Sequence, residues 1–378
     1  MTKILISAGE ASGDMHAGAL TKAILTLDPK AQVFGMGGDE LRKAGGEVLF
    51  DIKDHSVMGF GAVIKKLPQL YKLREDFRKL MMERRPDCLV VIDYPDFNTR
   101  ISSIAKELGI PILSFISPSA WVWRKGRAKS VAKTVNKVAA IFPFEYDVYK
   151  EAGADTVFVG HPLVDIVKRS ISDEEARKKA GKQEGHSLVL LLPGSRLKEI
   201  ESMLPPMLKA VKIIKAKQSG VDFVMPKAGT ISEKLLQEYL DKENVQVKIV
   251  EGNIYDIMSV ADVALATSGT VTLEAALCNL PSVICYKTGA IAVAIVRLLI
   301  NIKCIGLPNI VAGHKILPEL IQEDMTPENM AKEVLHYLEP SEHARIREEL
   351  KEVQRKLGEP GAVEKVARLT LLLAGDKI

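Results

Sequence analysis

Short, wholly apolar runs alternate with longer amphipathic ones along most of the chain. "CLVVI" (88–92) and "LVLLL" (188–192) carry no polar position at all, as strands buried on both faces of a sheet must. Strands are predicted at 3–7, 31–35, 88–92, 112–116, 138–142 and 156–159, then at 187–192, 221–225, 246–250, 262–266 and 281–286. The segments between them keep helical spacing, as Val63, Leu67, Leu70, Leu73, Phe77, Leu80 and Met81 do. Strand alternating with helix implies right-handed crossovers and a parallel sheet.

The alternation breaks once. After "VFVGHPLVD" (157–165) comes the charged stretch "KRSISDEEARKKAGKQEGHS", and then a new buried strand. The pattern predicts an α/β protein of two doubly wound, Rossmann-like domains facing a crevice, residues 1–168 and 169–344. From about 340 the chain reads as helix only. Residues 345–378 either pack back on the first domain or pair with a second copy as a homodimer.

Composition narrows the function classes. The chain has 378 residues, 47% hydrophobic and 26% charged, with a net charge of +4. So mild a charge fits a local anion site and argues against a nucleic-acid partner bound by bulk charge. Cys88, Cys278, Cys285 and Cys304 lie in or beside apolar runs without zinc-ligand spacing, and read as buried reduced thiols of a cytoplasmic protein. The N-terminal apolar run is too short for a signal segment. "GAIAVAIVRLLINI" (289–302) falls short of the roughly 20 residues a bilayer span needs.

"LISAGEASGD" (5–14) is a strand feeding a glycine turn, yet it carries Glu10 and Asp14 and lacks the G-x-G-x-x-G spacing. Two carboxylates would repel a phosphate. The turn suits a neutral, hydroxyl-rich substrate, unless Ser12 or Asp14 merely caps the helix. In "VVIDYPDFNTR" (90–100), Asp93 sits where a buried strand runs out, the end at which open α/β sheets bind ligands. Asp96 and Asn98 begin the next helix, with Asp96 the expected cap. "SPSAWVWRKGRAKS" (117–130) sets Trp121 and Trp123 beside Arg124 and further cations, a composition suited to an anionic membrane surface or to single-stranded nucleic acid.

Anion sites appear in the second half. "LVLLLPGSRLKEIESMLPP" is a buried strand, a Pro-Gly-Ser turn and a helix, where Ser195 is expected to cap and Arg196 to grip a phosphate. "VALATSGTVTLEAAL" repeats the pattern with Ser268, Gly269 and Thr270, and Glu274 follows one turn later. Together they read as a nucleoside-diphosphate site.

"AGEASGD", "IDYPDFN", "SPSAWVWR", "FPFE", "GHPL", "LLPGSR", "TSGTVTLE" and "LPNIVAG" run from residue 8 to 313 in the order found in lipid A disaccharide synthases, and the chain resembles that family. The resemblance implies a GT-B-like glycosyltransferase that moves 2,3-diacylglucosamine from its UDP carrier to 2,3-diacylglucosamine 1-phosphate, forming a β-1,6 bond. It implies Asp93 as general base, with Glu10 and Asp14 on the acceptor side. Ser195, Arg196 and Met203 would meet the donor, as would Ser268, Gly269, Thr270, Glu274 and Asn309. Tyr94 stands where many relatives carry a small residue.

An α-linked donor and a β product require inversion, hence one in-line attack and one base. No Asp-x-Asp pair is placed to hold a metal on the diphosphate, so neither metal nor cofactor is expected. Acylated substrates imply peripheral attachment to the cytoplasmic face of a membrane, through 58–67, 121–129 and 289–300. The alternatives are a UDP-N-acetylglucosamine 2-epimerase-like enzyme and a lipid- or RNA-binding module without catalysis.

Overall fold

The computed structural model describes residues 1–55, 60–117, 125–287 and 304–375, without the side chains of 55, 60–67 and 125. The chain forms two compact units, residues 1–166 with 357–378, and residues 167–356.

Unit 1 holds a seven-stranded parallel sheet: β1 (Lys3–Ala8), β2 (Gln32–Gly37), β3 (Glu47–Asp51), β4 (Cys88–Ile92), β5 (Ile112–Phe115), β6 (Lys137–Ala140) and β7 (Thr156–Phe158). Their order is β3-β2-β1-β4-β5-β6-β7. Unit 2 holds six: β8 (Ser187–Leu192), β9 (Val221–Pro226), β10 (Lys248–Val250), β11 (Val263–Thr267), β12 (Ser282–Tyr286) and β13 (Glu319–Ile321), ordered β10-β9-β8-β11-β12-β13. Every residue of β4 and β11 is buried, which is why both read as unbroken apolar runs. The two-unit parallel α/β architecture is the one the alternation predicts, and the predicted strands are present to within two residues at each end.

Two strands escape the pattern. β3, at one edge, is only half-buried and carries Glu47 and Asp51; β13, at the opposite edge of the other sheet, has three residues. An edge strand needs neither length nor a continuous apolar run.

The site depends on eight helices: α1 (Ala11–Leu27), α2 (Asp39–Lys43), α3 (Pro95–Glu107), α4 (Leu197–Lys217), α5 (Thr270–Leu277), α6 (Leu307–Ala312), α7 (Pro340–Lys356) and α8 (Ala362–Leu373). Helix α7 belongs to unit 2, with Ile346, Leu350 and Val353 buried in it. The chain then returns to unit 1. The Asp165 carboxylate accepts from the N–H groups of Gly361 (2.6 Å) and Val363 (2.8 Å), satisfying the start of α8.

All four cysteines are free thiols; Cys88 and Cys285 are buried, whereas Cys278 and Cys304 are only half-buried. Among the described residues no helix is long and apolar enough to cross a membrane.

Candidate active site

In unit 1, β1 pairs with β4 in the register Ala8↔Ile92, and the strand order reverses at this pair. That junction is where doubly wound sheets bind ligands, at the carboxyl ends of the strands. Residues 9 and 10 leave β1 there, and Asp93 leaves β4 beside them. Asp93 (φ 48°) and Tyr94 (φ 51°) both adopt the left-handed conformation. For residues other than glycine such backbone costs about 1–3 kcal/mol each and persists only where neighbours enforce it.

Asn98 is the enforcer. Its Nδ2 donates to the carbonyls of Ser7 (3.3 Å), Ile92 (3.2 Å) and Asp93, while its Oδ1 accepts from Ser7 Oγ (2.6 Å). The Asp93 N–H donates to the Ile116 carbonyl at 3.1 Å. Burial, and then the nearby Glu10 carboxylate, push the Asp93 carboxyl up to about 6, against a hydrogen bond from the Tyr94 N–H. A polar pocket lined by Asp93, Asn98, Thr99, Ser102 and Ser114 adjoins it. Gly9 is demanded by Tyr94, because a Cβ there would lie 2.3 Å from the tyrosine ring. Tyr94 therefore packs down on the β1 turn and against Phe97, at 5.6 Å between ring centroids.

Three expectations for unit 1 need correction. Asp14 does not share an open face with Glu10: it is 4% exposed. Its carboxylate accepts from the N–H groups of Gly38 (2.6 Å), Glu40 (2.9 Å) and Leu41 (3.1 Å), so it holds the entry to α2. Neither Ser12 nor Asp14 caps α1, whose N-cap residue is Glu10, without a side-chain cap bond. Asp96 caps nothing either, because Pro95 opens α3 and Tyr94 is its N-cap; Asp96 instead meets Arg127 at 3.1 Å on the surface. Asn98 is 4% exposed and acts through Asp93 rather than on a ligand.

Unit 2 repeats the arrangement. β8 pairs with β11 at its own order reversal, in the register Leu192↔Ala266, so the turns after Leu192 and Thr267 are neighbours. Gly194 takes φ 113°, a value open to glycine alone at little cost. Ser195 is not the cap: Arg196 is the N-cap residue of α4, with no side-chain cap bond. The Ser195 N–H donates to Glu199 Oε2 at 2.9 Å, and Arg196 Nη1 lies 3.1 Å from Glu199 Oε1. Ser268, Gly269 and Thr270 lead into α5, with Gly269 its N-cap residue and exposed. Burial pushes the Glu274 carboxyl up to about 7, and its charge in turn raises Tyr255 and Cys278.

Two expected donor residues are structural. Met203 is 1% exposed and has no surface to offer a ligand. Asn309 is fully buried. Its Nδ2 donates to Leu317 O (2.9 Å) and Glu319 Oε1 (2.8 Å), and its Oδ1 accepts from the N–H groups of Ile316 and Leu317. Glu319 also accepts from the Ile305 and Gly306 N–H groups, so the entry to α6 already holds a carboxylate.

Trp121, Trp123 and Arg124 lie outside the described residues, as do most of the expected membrane-facing segments. Sequence reasoning missed Glu199 and two buried histidines of unit 1. Burial lowers His16 to about 4; burial and the proximity of His16 lower His161 to about 3. Both are neutral, and His16 sits edge-on to Phe115.

A family model described as lipid-A-disaccharide synthetase matches residues 4–371. The chain belongs to this family. The lipid-A-disaccharide synthase of Syntrophus aciditrophicus is 41% identical over 372 residues, 98% of this chain and 97% of its own length. That of Geobacter metallireducens is 39% identical, covering 99% and 98%. Among solved structures, the S. aureus MnaA–UDP co-structure superposes with a TM-score of 0.69 at 14% identity, covering 100% of this chain and 99% of its own. UDP-GlcNAc 2-epimerase from Neisseria meningitidis bound to UDP-GlcNAc gives 0.68 at 14%, covering 98% and 100%. At such identity these epimerase likenesses speak for the fold alone. The family resemblance and the GT-B-like fold class read from the sequence are both borne out.

Proposed function

We propose that the chain is an inverting glycosyltransferase of lipid A assembly. It transfers 2,3-diacylglucosamine from UDP-2,3-diacylglucosamine to the 6-hydroxyl of 2,3-diacylglucosamine 1-phosphate, releasing UDP and leaving a β-1,6-linked disaccharide 1-phosphate. Family membership supports the transfer. The observation that carries the mechanism is Asp93, a carboxylate held at a strand-order reversal with its pKa raised to about 6.

A base with that pKa is ionised at neutral pH yet far more basic than an ordinary carboxylate, the compromise general-base catalysis needs. Asp93 takes the proton of the acceptor hydroxyl as its oxygen attacks the anomeric carbon. The bond from that carbon to the UDP oxygen breaks on the opposite face, which inverts the α donor to a β product. Negative charge collects on the departing UDP, where Arg196 and the N–H groups around Ser195 and Ser268–Thr270 stabilise it. Glu274 accepts the ribose hydroxyls. Glu10 lies on the acceptor side and keeps the Asp93 pKa high.

Acyl chains on both substrates call for work at the cytoplasmic face of a membrane. Co-sedimentation with anionic vesicles tests that part of the reading, and sedimentation velocity tests the homodimer. The reaction itself is tested by mass spectrometry of products from UDP-diacylglucosamine with and without the acceptor. Disaccharide 1-phosphate formed only with acceptor supports transfer; an isomerised or hydrolysed donor formed without acceptor returns the epimerase alternative.

A further inference from the structure

The turn between β8 and α4 already holds an anion, and the anion is the protein's own. Glu199 reaches back one turn. One carboxylate oxygen accepts the Ser195 N–H at 2.9 Å and the other lies 3.1 Å from the Arg196 guanidinium. The fit is close enough that a Cβ on Gly194 would stand 2.4 Å from Glu199 Oε2. The turn is braced from behind, where Thr230 Oγ1 donates to the Ser195 carbonyl.

A glutamate at the third helical position often bonds backward to the helix start as an ordinary cap. Here its two partners are a backbone N–H at a helix N-terminus and an arginine fork, the pair of donors a diphosphate would take. Two anions cannot share them, because a carboxylate left against a diphosphate is a like-charge contact in a half-screened site.

We infer that Glu199 is an internal stand-in for the nucleotide diphosphate: it competes with the donor's phosphates for Ser195 N–H and Arg196, and reclaims them as UDP departs. The inference rests on the proposed donor site and adds to it a residue that weakens product binding. Held this way, Arg196 and the turn stay in their anion-binding form between turnovers. The exchange of one anion for another then spares them a large rearrangement.

The test is calorimetric titration of wild type, Glu199→Gln, Glu199→Asp and Arg196→Ala with UDP and with uridine. Removing the competing charge in Glu199→Gln should tighten UDP binding about 3- to 10-fold, the scale of one partly exposed charge contact. Uridine affinity should stay within about 2-fold, since no phosphate is involved. Glu199→Asp keeps the charge but withdraws it by one methylene. It should also bind UDP more tightly than wild type, and it decides the matter if the Gln variant does not fold.

UDP affinity unchanged or weaker in the folded Glu199 variants overturns the inference and leaves Glu199 a plain cap. Arg196→Ala separates this from the donor-site reading. If its UDP affinity equals that of wild type, the donor site itself is wrong, whatever Glu199 does.

Discussion

The side-chain amide of Asn98 donates to the backbone carbonyl of Asp93, and through that bond a residue on α3 fixes the direction of a carboxylate on the preceding strand end. The same amide reaches back to β1 at Ser7, so the two strands flanking the site share one strut. Asn98→Ala removes the strut. Turnover is expected to fall by roughly 100-fold, the scale of a misplaced catalytic group. Titration with UDP, whose proposed site lies in the other unit, should be unchanged; a variant with normal turnover would free Asn98 from this role.

Asp93→Asn should lower turnover by about 10²–10⁴-fold, the usual worth of a general base, with UDP affinity retained. In wild type, kcat/KM should fall on the acid side with a midpoint near the Asp93 value of about 6, because only the ionised form accepts a proton. The stability effect has the opposite sense. A carboxyl whose folded pKa lies above its unfolded value binds more protons when folded, so its contribution declines as pH rises from about 4 to about 6. Asp93→Asn should therefore melt above wild type at pH 7.5, and the gap should shrink at pH 4. Asparagine also tolerates the left-handed backbone well, a gain independent of pH.

Glu274 sets a second pH dependence. With its pKa pushed up to about 7, it is half protonated near neutrality and then accepts hydroxyl hydrogen bonds poorly. UDP affinity should rise between pH 6 and pH 8 in wild type and stay level in Glu274→Gln. Isothermal titration across that range checks it, and 2′-deoxy-UDP should lose the dependence in wild type as well. A flat wild-type curve would remove Glu274 from ribose recognition.

Asp14 and Asn309 should register in stability before chemistry. Each variant Asp14→Ala and Asn309→Ala strands several buried backbone groups, with a cost of about 1–3 kcal/mol for each group left without a partner. Urea midpoints should drop in both variants. The folded fraction of Asn309→Ala should still bind UDP; lost UDP binding at an unchanged midpoint would put Asn309 back at the donor.

The strands, the two-unit plan and the chemistry at Asp93 and Arg196 were legible because each leaves a local mark. A doubly buried strand is apolar throughout, and a site at its carboxyl end follows directly in the chain. Asp14 and Asn309 were misread for the converse reason. Their partners come from residues 38–41 and 316–319, and nothing near either residue announces them. The Ser195 cap failed because the turn bends one residue further, and the helix starts from Arg196. Edge strands β3 and β13 were invisible because half-burial and three-residue length leave no period to detect.

The bond from Asp165 to the start of α8 ties residues 196 positions apart in the chain. On the ribosome, the first unit to begin emerging is thus the last to be completed. Its sheet must wait, with the flank that α8 will cover still open, until residues 357–378 are made. Unit 2, contiguous from 167 to 356, has every part it needs before then. Loss of the last twenty residues would injure the acceptor half of the molecule and leave the nucleotide half whole.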